Sequence, residues 1–237
     1  MKGRIKALML LTLLTILGVG FATAQPIGVD NITVETSSRF NDTVAPTEIQ
    51  AQAGNVTELS ITGISVTRYW QGFYGNITGT IILADSTGNN FYDWNVSTPT
   101  GQVYASRDDS ITWSGVDCAA AGDITTEEGF LGHQSTAPDS ITNTFTSTTH
   151  PDIFVGSNNV TGCFATQAYD STGEQNNAFY QILLNGGGDM IYTTIIENAT
   201  TAGFNNMPWH FQLLVGEPGA GANATTTTPY FFYLELQ

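Results

Sequence analysis

Ala178-Phe179-Tyr180-Gln181-Ile182-Leu183-Leu184 is followed by Asn185-Gly186-Gly187-Gly188-Asp189 and then by Met190-Ile191-Tyr192-Thr193-Thr194-Ile195-Ile196-Glu197. Two runs of branched and aromatic residues flank a turn rich in residues that tolerate positive φ. Such a stretch predicts a β-hairpin. The same pattern recurs outward in both directions. Strand-like runs are expected at 32–36, 58–67, 69–74, 79–84, 91–96, 102–106, 110–113, 141–147, 163–169, 209–215 and 229–236. Beyond residue 24 no helical period persists for three turns. Residues 115–137 are the least regular and read as one long loop with room for a short helix. Many short strands with glycine-rich turns predict an all-β fold, a β-sandwich of jelly-roll or Ig-like Greek-key type.

The first 24 residues are of another kind. A basic start (Lys2, Arg4, Lys6) precedes a mainly apolar run of 15 residues and then Ala22-Thr23-Ala24. That is the layout of a secretory signal peptide, and the run is too short for a membrane span. The expected organisation is a signal peptide at 1–24, a polar N-terminal arm at 25–54 and a single β-sandwich domain at 55–237. No later run reaches 18 apolar residues, so an exported protein with no transmembrane segment after cleavage is expected, secreted or at the extracellular cell surface. In an exported chain, the two cysteines, Cys118 and Cys163, predict one disulfide, with two free thiols as the alternative.

Past residue 24 the chain holds 21 acids against three arginines (Arg39, Arg68, Arg107), a formal charge of −18. Phosphate binding needs clustered Lys and Arg, so nucleic acid is excluded as a partner. Charged residues are 11% of the chain, well below the rough quarter of an average soluble domain. The surface must therefore be hydrated by other means. Asn-x-Ser/Thr acceptors stand at Asn31, Asn41, Asn55, Asn76, Asn95, Asn159, Asn198 and Asn223. They predict a glycoprotein, against the plainer reading of a chain rich in Asn and Thr.

Reaction chemistry is poorly represented. Asp85-Ser86-Thr87-Gly88 and Asp170-Ser171-Thr172-Gly173 place glycine three residues after Asp, where an aspartic protease needs it two after. There is no Gly-x-Ser-x-Gly elbow. Glu127-Glu128 and Asp108-Asp109 read as solvated loop charges, and His133, His150 and His210 as loop or strand residues. The expectation is a non-enzyme without a required cofactor. Calcium is the one candidate ion, with Asp85, Asp108, Asp109, Asp170 and Glu174 as hard oxygen donors near turns. The two Asp-Ser-Thr-Gly blocks each follow Asn-x-Thr-Gly and precede an aromatic strand. They record either a duplicated hairpin or the same turn residues used twice.

The most distinctive local feature is Arg68-Tyr69-Trp70-Gln71-Gly72-Phe73-Tyr74-Gly75-Asn76. Strand alternation puts Trp70 and Tyr74 on one face and Tyr69 and Phe73 on the other. One face must be core; the other is an aromatic platform, an assembly surface or a second buried face. Trp70, Tyr74 and Trp94 are the candidate sugar-stacking residues. The run from Trp70 to Gly79, with Phe91-Tyr92-Asp93-Trp94 and Gly101-Gln102-Val103-Tyr104-Ala105-Ser106, resembles a group of secreted archaeal cell-surface proteins to which no activity attaches. The similar stretch covers about residues 58–118 and extends toward the C-terminal strands. More loosely, an exported, glycosylated sandwich resembles archaeal donor-strand pilus subunits. The expected function is structural: a self-associating filament or sheath subunit whose arm adds a strand to a neighbour. The alternatives are a lectin-like carbohydrate-binding module using the exposed aromatics, and a secreted hydrolase with two facing carboxylates. Other surface proteins or cell-surface glycans are further candidate partners.

Overall fold

The computed structural model describes residues 25–40, 44–198, 200–218 and 227–237. The expected signal peptide at 1–24 and the acceptors Asn41 and Asn223 lie outside the described residues. The protein is a β-sandwich, 33% strand and 9% helix, so strands carry its architecture. Its strands in chain order are β1 (Ile27–Gly28), β2 (Trp70–Gly75), β3 (Gly79–Ala84), β4 (Asn90–Val96), β5 (Gly101–Ser106), β6 (Asp117–Cys118), β7 (Ile153–Val155), β8 (Asn158–Val160), β9 (Ala165–Gln167), β10 (Tyr180–Asn185), β11 (Met190–Ile195), β12 (Phe211–Gly216) and β13 (Phe231–Leu236). Two helices, α1 (Ala121–Leu131) and α2 (Ile141–Thr144), follow β6.

The opening hairpin is the centre of the main sheet. β10 pairs β11 from Gln181↔Thr194 to Asn185↔Met190, and the sheet runs β1-β13-β5-β11-β10-β6, all antiparallel. β9 shares the outer edge of β10 with β6: Ala165 to Gln167 pair one end of β10, Asp117 and Cys118 the other. The Cys118–Cys163 disulfide closes the seam where these two short strands succeed each other.

Both faces of this sheet are covered, which is why β5 and most of β10 and β11 are buried at every position instead of at alternate ones. On one face Val103, Ala105, Leu183 and Tyr192 pack under a second layer made of the β2–β12 pair, α1 and α2. On the other, Tyr104, Ile182, Leu184 and Ile191 pack under the β7–β8 hairpin and the turn at Trp113. Gly101 sits at φ 121° where a Cβ would lie 1.9 Å from the Glu235 carbonyl oxygen, so only glycine lets β5 begin this close to β13.

Several expectations change. Residues 141–147 begin with α2 in place of a strand, because the Ser140 side chain caps the helix by accepting the Asn143 N–H. Residues 115–137 hold an 11-residue helix whose buried stripe is Ile124, Glu127, Glu128 and Leu131. The two glutamates are therefore not solvated loop charges. Glu127 Oε2 pairs with Arg107 at 2.6 Å, and Glu128 accepts the Thr142 N–H at the start of α2. Residues 110–113 form no strand. The two Asp-Ser-Thr-Gly blocks close identical turns: Asp85 Oδ1 accepts Thr87 N–H and O–H, and Asp170 Oδ1 accepts the same pair from Thr172. One joins β3 to β4; the other lies between β9 and β10.

Candidate functional site

Among the described residues the strand-like runs at 32–36 and 58–67 pair with nothing, and those described between Val29 and Arg68 contain no strand. The chain leaves the sheet where Val29 N–H donates to the Phe232 carbonyl, and returns where Tyr69 meets β12. Between these points the described residues are largely exposed, although they include Ile32, Val34, Phe40, Val44, Ile49, Val56, Leu59, Ile61 and Ile64, and a turn closes at Gln52–Asn55. The exposed run is longer than the arm expected at 25–54.

Strand edges open beside it. In the β2–β12 ladder the Tyr69 carbonyl accepts the Glu217 N–H. Antiparallel alternation then directs the backbone of Trp70, Gly72 and Tyr74 away from β12, toward an edge that pairs with no strand among the described residues. The opposite edge of this layer is closed differently. Gln181, reaching up from β10, donates to the Gln212 carbonyl and accepts the Leu214 N–H at 2.9 Å, so one side chain takes the place of a neighbouring strand. Among the described residues the β3–β4 hairpin pairs only with itself, and it exposes Ile81, Ile82, Leu83, Phe91, Tyr92 and Trp94, with Phe91 83% exposed. An isolated two-stranded ribbon is marginal in water.

The three sugar-stacking candidates separate. Trp70 turns inward: its indole N–H donates to the Asp139 carbonyl at 2.6 Å, and its ring packs against Phe145 and Tyr192. Phe73, expected opposite Trp70, also packs on the core, edge-on to Phe232. Tyr74 faces out and meets Phe204 and Trp209, each at 5.0 Å between ring centroids. Trp94 is half exposed on the hairpin beside Tyr92. Sequence reasoning did not join Phe204 and Trp209 to Tyr74, and no spacing could have: about 130 residues separate them, and only the β2–β12 register brings them together.

Every acceptor asparagine among the described residues, Asn31, Asn55, Asn76, Asn95, Asn159 and Asn198, is exposed. Three of the five candidate calcium donors, Asp85, Asp108 and Asp170, are engaged in local hydrogen bonds. Hydrogen bonds from Asn89 and Thr87 hold the Asp85 carboxyl below its usual range, and those from Thr172 and Asn176 do the same for Asp170. Asp108 accepts from Ser110, while Asp109 and Glu174 are exposed. Among the described residues no group of three or more His, Cys, Asp or Glu side chains gathers to hold a metal ion.

No family model, curated protein or solved structure matches the chain.

The buried polar groups are structural in their contacts. Arg107 sits between Glu127 and Asp189 (2.6 and 2.9 Å), with its guanidinium 3.9 Å above the Phe130 ring. Glu127 Oε1 accepts the Tyr192 hydroxyl, and burial first, then the Glu127 charge, pushes that phenol well above its usual range. His133 stacks on Tyr69 at 4.1 Å and its Nε2 meets the Glu217 carbonyl. His210 Nδ1 accepts the Ile77 N–H, which ties β12 to the chain leaving β2. His150 Nε2 accepts the Cys163 N–H. Among the described residues no helix is long and apolar enough to cross a membrane.

Proposed function

We propose that the protein is an exported, N-glycosylated structural subunit of the cell surface that self-associates by strand addition. The observation that carries the reading is the largely exposed segment between Val29 and Arg68, polar with scattered apolar side chains, lying in the same molecule as a β2 edge and a β3–β4 hairpin that pair with no further strand among the described residues. Residues 58–67 alternate as a half-buried strand should, with the phase reset at Gly63, yet they pair with no strand among the described residues. A neighbouring copy offers one. Anchored at both ends, a 40-residue segment has a maximum reach of about 65 Å out from the body at ~3.3 Å per residue. A domain of this size has a radius of gyration of about 16 Å, so the segment can reach well across a neighbour. Main-chain hydrogen bonds would give the affinity, and Leu59, Ile61, Ile64 and Val66 the register. The resemblance to secreted archaeal surface proteins belongs with this reading, and calcium is no part of it.

Deletion of residues 44–66 tests it. The full chain sediments as concentration-dependent assemblies, and the deleted chain as a monomer with its unfolding midpoint unchanged. Equal monomers in both cases would overturn strand addition.

A second reading, a lectin-like module, draws on the exposure of Tyr74 and Trp94. Retention on a glycan array that Trp94→Ala and Tyr74→Ala abolish would favour it over assembly.

A further inference from the structure

The outward face of β2 ends in an aromatic cluster next to an acceptor asparagine. Tyr74 is 41% and Phe204 54% exposed, with Trp209 half-buried between them and the core. Phe204 and Trp209 meet the Tyr74 ring nearly edge-on, at 74° and 63°. The loop that presents them is tightly built. Trp209 Nε1 donates to Asn205 Oδ1, Phe204 N–H donates to the buried Gln212 side chain, and Gly203 N–H donates to the Met207 carbonyl. A Cβ on Gly203 would lie 2.8 Å from the Trp209 ring, so the glycine is what lets this loop close. The rings are thus held in place without any partner, as in a binding surface and unlike a collapsed apolar patch.

Tyr74-Gly75-Asn76-Ile77-Thr78 places the ring two residues before the acceptor. Burial alternates through this stretch: Tyr74, Asn76 and Thr78 are exposed, Gly75 is intermediate and Ile77 is buried. β2 ends at Gly75, so Asn76 is the first residue past it; Tyr74 and Asn76 are both exposed and lie two residues, at most about 7 Å, apart along the chain. A sugar joined to the Asn76 amide nitrogen by a glycosidic bond has its ring within reach of the Tyr74 face. Pyranose rings carry a face of C–H bonds whose partial positive charge suits the negative face of an aromatic ring.

We propose that Asn76 is a glycosylated residue and that the innermost sugar of its glycan packs on Tyr74, with Phe204 and Trp209 completing the platform. The occupant of the exposed aromatic cluster is then this chain's own glycan. The inference rests on the reading of the chain as an exported glycoprotein.

The test uses the full chain produced in a cell that glycosylates it, as wild type, Thr78→Ala, Tyr74→Ala, the double variant, Thr78→Ser and Asn198→Gln. Thr78 is exposed, so Thr78→Ala removes the acceptor with little else. Glycopeptide mass spectrometry reads occupancy at each acceptor, and thermal unfolding reads stability. The expected results are occupancy at Asn76 and a midpoint about 2–5 °C lower in Thr78→Ala, from the size of an aromatic stacking contact. Thr78→Ser restores both. Tyr74→Ala loses less in the Thr78→Ala background than in the glycosylated one, because the ring has lost its sugar. Additive losses, an empty Asn76 beside occupied neighbours, or the same coupling to Asn198→Gln in place of Thr78→Ala would each overturn the proposal and leave the glycoprotein reading standing. Absence of sugar at every acceptor would overturn both.

Discussion

Replacing Gln181 with leucine probes how the two layers are joined. Gln181 is 1% exposed, and its amide donates to the carbonyls of Phe179 and Gln212 and to the Thr194 hydroxyl, while its carbonyl accepts the Leu214 N–H. The residues of β12 that bond to β2 alternate with Gln212 and Leu214, so these two direct their backbone groups at Gln181 alone. Leucine is close to the same size and keeps the apolar contact. It leaves the Leu214 N–H and the Gln212 carbonyl buried without partners. An orphaned buried group costs about 1–3 kcal/mol, so two cost roughly 4 kcal/mol. For a domain of 150–250 residues each kcal/mol lowers the unfolding midpoint by about 2–4 °C. Gln181→Leu should lower it by about 8–16 °C in calorimetry, and hydrogen exchange at the Leu214 amide should accelerate before exchange in β5 and β11. A loss under 3 °C with Leu214 still protected would refute the view that one side chain replaces a strand here.

The remaining predictions concern charge and cross-linking. Arg107→Met strands the buried Glu127 and should cost about 3–5 kcal/mol, whereas Asp189→Ala, whose carboxylate is partly exposed, should cost under ~1 kcal/mol; chemical denaturation of the pair checks the contrast. Burial raises the carboxyls of Glu197, Glu217 and Glu235. The folded state therefore favours their protonated forms, and stability is lost as pH rises from the ordinary Glu range through the raised values. The unfolding midpoint should climb on acidification from pH 7 toward 5, and Glu235→Gln should flatten that climb; an unchanged slope would remove Glu235 from it. Cys118 and Cys163 are 45 residues apart, and in the chain-entropy model a loop of that length contributes about 4 kcal/mol. Cys118→Ser with Cys163→Ser should lower the midpoint by roughly 8–16 °C, with β6 and β9 the first strands to lose exchange protection.

The main sheet was legible because its strands announce themselves locally. The branched runs of β10 and β11 around Asn185-Gly186-Gly187-Gly188-Asp189 need no long-range information to be read. The helix α1 was not legible, because two of the four residues in its buried stripe are glutamates, and only the partners Arg107 and Thr142 make their burial tolerable. Residues 141–147 are rich in Ile, Thr and Phe and read as a strand, but the Ser140 cap and the Glu128 carboxylate at its first turn select a helix. Residues 58–67 have the alternation of a strand and no sheet partner among the described residues. The pattern states a demand for a sheet, and the described strands do not meet it. At the candidate site Tyr74 and Trp94 were readable as distinctive aromatics. The inward turn of Trp70 was not, because its hydrogen bond to Asp139 depends on where α2 begins.

The central claim is that the exposed segment between β1 and β2 is a strand waiting for another copy of the same chain. Electron microscopy of the protein recovered from its native source measures this most directly. The account predicts ordered polymers in which density for residues 58–67 runs as an added strand along the β2 edge or the β3–β4 hairpin of the adjacent subunit. Dispersed single particles, or polymers in which that segment folds back onto its own subunit, would contradict it.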